Sequence, residues 1–152
     1  MNSRKIGRRQ ALAVMGGAAL SLAVRPAYAA IDTISFDELY GKVSVLGLAF
    51  SDRVKALEGK PVAMRGFMAP PLKAEANFFV LTEMPMALCP FCSSDADWPD
   101  DIIVVYLDRT RTFEQANGII EVSGKLEIGS WTDPETGFVS LLRIVGADFR
   151  RV

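Results

Sequence analysis

From Gly59 onward the apolar and polar positions follow a texture of strands separated by turns. Pro61–Met68 alternates with a period of two, and Gly66 is placed for a bend or bulge. Ala69-Pro70-Pro71-Leu72-Lys73 stops this run, because proline has no N–H to donate to a ladder. Residues 77–82 read as a second strand, and 101–107, the most apolar run, as a central third strand covered on both faces. Residues 118–128 predict a long fourth strand whose glycines permit sharp coiling. Residues 131–137 then predict a turn, and 138–144 a fifth strand that the tail to Val152 prolongs. Ahead of Gly59 the spacing is helical. Ser35 and Glu38 form the ends of a capping box, followed by Phe36, Leu39, Tyr40 and Val43 on one face. Ser51 is placed to cap a second short helix, with Val54 and Leu57 inward and Gly59 at its end.

Five strands with tight turns, and a glycine in the first and the fourth, predict a mainly β domain. The expected form is a five-stranded OB-like Greek-key barrel with short N-terminal helices. A small β-sandwich satisfies the same strand count. Residues 57–66 resemble the opening of OB barrels, a loop followed by a first strand that bends at its glycine, and 122–126 echo the phrase. That likeness speaks to fold and leaves function open.

Residues 1–29 read as a targeting segment, separate from a single domain over 30–152. Arg4, Lys5, Arg8 and Arg9 make a basic start, and the apolar stretch 11–24 is too short to span a bilayer of about 30 Å as a helix. Ala27-Tyr28-Ala29 offers a signal peptidase the small-x-small pattern, leaving Ala30 as the new N-terminus. The adjacent Arg8 and Arg9, the mildly apolar Gly-Gly core and Arg25 resemble a twin-arginine signal. That resemblance implies the twin-arginine translocation machinery and the periplasm, with the general secretory route as the alternative. Gly7 and Ala11 depart from the flanking pattern of such signals. Five of the 17 basic residues lie in the leader and all 18 acidic ones outside it, so the remainder carries 12 against 18, a net charge of −6. A domain this acidic is a poor fit to a nucleic-acid backbone. No later apolar run is long enough to span a membrane as a helix once the leader is removed.

The candidate chemistry gathers in Met84-Pro85-Met86-Ala87-Leu88-Cys89-Pro90-Phe91-Cys92, between the second and third strands, with an acidic, turn-rich 93–100 behind it. Cys89 and Cys92 are the only cysteines in the chain. In an oxidising compartment such a pair is expected as a local disulfide. The loop it closes is tiny, so it stiffens one segment rather than stapling the domain. A second reading is a soft-metal site for copper or zinc, with Met84 and Met86 on one side of a strand and Asp95 and Asp97 as further ligands. Met64 and Met68 have matching parity in the first strand, although methionine more often fills a core. A third reading is thiol–disulfide exchange, whose usual context is a βαβ unit rather than strands. Trp98, Trp131 and Phe91 are expected to pack over the rims of the barrel ends, with loop aromatics lining a partner groove as the alternative. The chain has no histidine, which closes Ser-His-Asp and Cys-His machinery. It also has no P-loop and no dinucleotide fingerprint. The expectation is an exported periplasmic binding or accessory module rather than an enzyme.

Gly66-Phe67-Met68-Ala69-Pro70, the apolar Phe78-Phe79-Val80-Leu81, Cys89 and the strand from Ile102 to Tyr106 resemble a family of small bacterial exported OB-like proteins of unknown function. The resemblance implies an association with an envelope transport or metal-handling system. Members typically carry Cys-x-His and a run of prolines at the loop. Here Phe91 and Cys92 stand instead, so only Cys89 carries over.

Overall fold

The computed structural model describes residues 30–41, 48–70, 77–86, 98–109 and 118–152. The leader with Arg8, Arg9, Ala27 and Ala29, the segment around Val43, and the loop residues Cys89, Phe91, Cys92, Asp95 and Asp97 lie outside the described residues. The fold is mainly β. Its strands are β1 (Asp32–Ile34), β2 (Pro61–Met68), β3 (Phe78–Thr82), β4 (Ile102–Leu107), β5 (Ile119–Thr132) and β6 (Val139–Arg151).

These six strands form one sheet whose pairings run in a closed cycle. β2 pairs antiparallel with β3, β3 antiparallel with β4, and β4 parallel with β6. β6 pairs antiparallel with β5, which returns antiparallel to β2. β1 adds a short parallel segment to the first half of β2. β2 therefore serves three neighbours. β5 runs along one of its edges from Pro61 to Phe67, while β1 and β3 share the other, at Val62–Met64 and Phe67–Met68.

The sequence pattern explains which faces are covered. In β2 the alternate residues Val62, Met64, Gly66 and Met68 point inward, so the period of two was a true half-buried strand signal. Met64 and Met68 are core residues, 0% and 1% exposed, and therefore not open to a ligand. All five residues of β3 are buried, as are five of the six in β4, which matches their near-continuous apolar runs. β4 lies between β3 and β6, the central place its composition predicted.

The two N-terminal helical expectations fared differently. Ser51 does cap a helix, α1 (Asp52–Leu57), its hydroxyl oxygen accepting from the Val54 N–H at 3.1 Å, and Val54 and Leu57 are buried. The Ser35 capping box is also present, with Glu38 reaching back to the Ser35 N–H at 3.1 Å. Yet the helix it opens is a single 3₁₀ turn, Phe36–Glu38. The reason is where the next backbone groups go. Leu39 O accepts from Ser51 N, Gly41 N donates to Ala49 O, and Tyr40 bridges Phe50. A chain committed to those partners has none left for a second helical turn.

Gly66 and Gly124 are the two glycines of the cycle where a Cβ would meet neighbours at under 3 Å. At Gly66 a Cβ would stand 2.7 Å from the Thr82 carbonyl oxygen and 3.0 Å from both the Leu81 side chain and the Phe36 ring. Backbone of β3 cannot give way as a flexible side chain would. Gly66→Ala is expected to lower stability by about 1–3 kcal/mol, the usual cost of overpacking. Gly118→Ala, where nothing stands within 4 Å, is expected to be close to neutral. Chemical denaturation of the two variants checks the contrast.

Candidate functional site

Two ends of the sheet carry polar side chains in unusual settings. At the first, β3 stops at Thr82, whose hydroxyl donates to the Met84 carbonyl at 2.6 Å. That bond turns the chain out of the ladder. Met84 and Met86 consequently lie past the strand end rather than on one side of a strand, correcting the parity expected for them. Met84 is 68% exposed and Met86 half-buried. Glu83 N donates to Asp101 O at 3.2 Å, closing the base of the segment that holds both cysteines. On its far side Trp98 is buried and its indole N–H donates to the Tyr40 hydroxyl at 2.5 Å. Tyr40 in turn stacks on Phe50. Trp98 is thus a buried member of the hydrophobic core.

Between these anchors lies a pocket of about 180 Å³, bordered by Tyr40 and by the carboxylates of Asp37, Glu83, Asp100 and Asp101. Among the described residues no three His, Cys, Asp or Glu side chains come close enough together to hold a metal ion.

The second end is built by the turn between β5 and β6. Asp133 is buried and organises this turn. Its Oδ1 accepts from the backbone N–H groups of Glu135 at 3.0 Å and Thr136 at 2.8 Å, and from the Thr136 hydroxyl at 2.8 Å. Asp133 N also donates to Phe138 O, and Gly137 N to Asp133 O. Trp131 and Thr132 belong to β5, paired with Ser140 and Val139, so the turn begins two residues later than expected. The strand reaches that far because the register shifts by one residue between Ile128 and Trp131. Gly129, with φ of 102°, supplies the left-handed backbone for the bulge.

The bulge has a chemical consequence, because it presents the Gly129 carbonyl to Arg143. The Arg143 Nη1 donates to that oxygen at 2.7 Å, and to the Ser140 carbonyl and hydroxyl at 3.1 and 3.3 Å. Arg143 is buried, and its Nη2 stands 3.8 Å from Glu127, too far for a hydrogen bond. Burial pushes its pKa down while Glu127 opposes the shift. The Trp131 ring lies over the guanidinium with its centroid at 5.5 Å, a cation–π contact. Tyr106 meets Trp131 edge-on at 5.1 Å and packs against Phe78, which meets Phe138. The Tyr106 hydroxyl is buried and makes no well-formed hydrogen bond, although the Asp133 side chain stands near enough to act on it as an acceptor. Burial, helped by the charge of Asp133, raises its pKa far above the ordinary tyrosine value, so it stays protonated.

The sequence reading missed this second cluster. Its signals were an arginine inside the apolar run 141–144, a tyrosine inside 102–107, and an aspartate opening Asp133-Pro134-Glu135-Thr136-Gly137, an Asx-turn composition.

No protein-family model matches the sequence, and no curated protein matches it. The fold is similar to the crystal structure of a DUF3299 family protein from Pseudomonas aeruginosa PAO1, with a TM-score of 0.52 at 12% identity. The superposition covers 81% of this chain and 97% of that one. At that identity the likeness is one of fold, to a small uncharacterised β protein.

Asp133→Ala removes an acceptor that three donors share. The variant is expected to lose about 1 kcal/mol, the usual net worth of hydrogen bonds to part-buried donors, read by thermal or urea denaturation. Asp133→Asn, which keeps an oxygen at that position, is expected to lose less.

Proposed function

We propose that this chain is an exported binding or accessory module built on an OB-type barrel, and that the segment with Cys89 and Cys92 is its working loop. The fold reading rests on the pairing cycle. Taken from β2, the first, second, third, fifth and fourth strands follow one another around the ring, with the third and fifth parallel. That order supports reading the cycle as the Greek-key circuit of an OB barrel. Two facing sheets, as a sandwich requires, fit it less well. The leader and the acidic balance of 30–152 support export to the periplasm by the twin-arginine route.

The observation that carries the loop assignment is its bracketing. Thr82 with Met84 before the cysteine segment, and Trp98 with Tyr40 after it, fix the described residues that flank it, and a pocket bordered by Asp37, Glu83, Asp100 and Asp101 lies beside them. A rigid scaffold that presents one loop in this way is the usual arrangement of a binding site. In the oxidising periplasm the two cysteines form a local disulfide that stiffens the loop. A soft-metal reading, with Cys89 and Cys92 binding copper or zinc beside Met84, Met86, Asp95 and Asp97, is favoured by one specific observation. The Met84 thioether is exposed instead of filling the core as Met64 and Met68 do. Such a protein would serve an envelope transport system.

Titration of the reduced protein with Cu(I) and Zn(II), followed by native mass spectrometry, separates the two. The expected outcome is no metal uptake and a disulfide that resists reduction down to about −300 mV, typical of structural bonds. A one-to-one metal complex lost in Cys89→Ser would replace the disulfide reading with the metal one. A disulfide reduced at a much higher potential would point to thiol exchange.

A further inference from the structure

Directly opposed residues of antiparallel strands share a face, so the outer surface of β2, β5 and the end of β6 carries two rows side by side. One row is charged and runs Arg65, Glu121, Arg150. The other is apolar. Phe67 opposes Ile119, and the Val152 N–H donates to the Ile119 carbonyl at 3.2 Å. Phe67 is half-buried, Ile119 46% exposed and Val152 61% exposed. Single exposed apolar side chains are ordinary on a protein surface, whereas neighbouring ones mark a contact surface. These three line a pocket of about 250 Å³, which Glu83, just past the end of β3, borders on the opposite side from Val152.

The two ends of the apolar row differ in charge. Arg65 and Arg150 share the one carboxylate of Glu121, through Arg65 Nε at 2.8 Å and Arg150 Nε at 3.1 Å. Two guanidiniums against one carboxylate leave a positive charge in excess, and the Arg150 side chain is largely exposed. At the β3 end stands the exposed carboxylate of Glu83. An anionic ligand in this row would be opposed by Glu83, and a cationic one by the arginines. A second copy of the same surface, turned by half a turn, meets both with opposite charge. We propose that this face is where two copies of the chain associate about a two-fold axis, Phe67 of each copy packing on Ile119 of the other and Glu83 of each meeting Arg150 of the other. The face lies apart from the cysteine segment, and its role is independent of what that loop binds.

Sedimentation velocity of the full chain across the micromolar range reads this association. A monomer–dimer equilibrium is expected, and Ile119→Asp is expected to raise its dissociation constant at least about tenfold, by setting a charge in the apolar centre. Ile31→Asp, at an exposed apolar position beside β1, is expected to leave the equilibrium unchanged. Glu83→Arg and Arg150→Glu each place like charges at both contacts of the pair, and each alone is expected to weaken it about tenfold. Both substitutions fall on exposed side chains, and Arg150→Glu leaves Glu121 its Arg65 contact. Mixed in equal amounts, the two variants have opposite charges at both contacts again, and their heterodimer is expected to be as tight as the parent dimer. A chain that stays monomeric at every concentration overturns the proposal. So does a dimer that survives Ile119→Asp, or a mixture that associates no more tightly than either variant alone.

Discussion

β2 is the strand on which the remaining structure depends. An eight-residue strand with β5 along one edge and β1 and β3 dividing the other must twist strongly enough to hand its second edge from one partner to the next. Gly66 sits where that transfer happens, with the Thr82 carbonyl so near that no Cβ fits. Once β2 is fixed, β5 and β3 are placed, β4 is set between β3 and β6, and the parallel β4–β6 pair completes the ring. The core, from Met64 and Met68 to Ile102, Ile103 and Leu126, is what the ring encloses.

A closed ring leaves its ends as the places where polar chemistry can be held rigidly and still reach solvent. At one end the Thr82–Met84 and Trp98–Tyr40 bonds stand near a pocket bordered by Asp37, Glu83, Asp100 and Asp101. At the other, a bulge at Gly129 and the Asp133 turn set Arg143, Tyr106 and Trp131 against one another.

Much of the fold was legible in the sequence because it rested on local signals. The alternation of Val62, Met64 and Met68, the unbroken apolar run of β4 and the Ser51 cap each follow from nearest-neighbour physics. β1 was not legible. Three residues, Asp32–Ile34, carry no period, and they form a strand only because β2 has an open edge to offer. The full lengths of β5 and β6 were hidden for a related reason. Gly129 and Gly146 look like strand breakers, yet both sit in register shifts that let the ladder continue to Thr132 and Arg151. Met84 and Met86 were misplaced because the Thr82 hydroxyl ends β3 by a side-chain bond that no alternation pattern encodes. Arg143 and Tyr106 were passed over because, inside apolar runs, they resemble strand filler until the bulge and the turn bring Gly129 and Asp133 to them.

The closure of the sheet through β2 is tested most directly by native-state amide hydrogen exchange along Val62–Phe67, the residues that pair with β5. If the ring is closed, these amides exchange only through global unfolding, with the same protection as the centre of β4. If β2 and β5 open independently, at a free energy well below that of β4, the cycle is broken at that seam and the account of both ends fails with it.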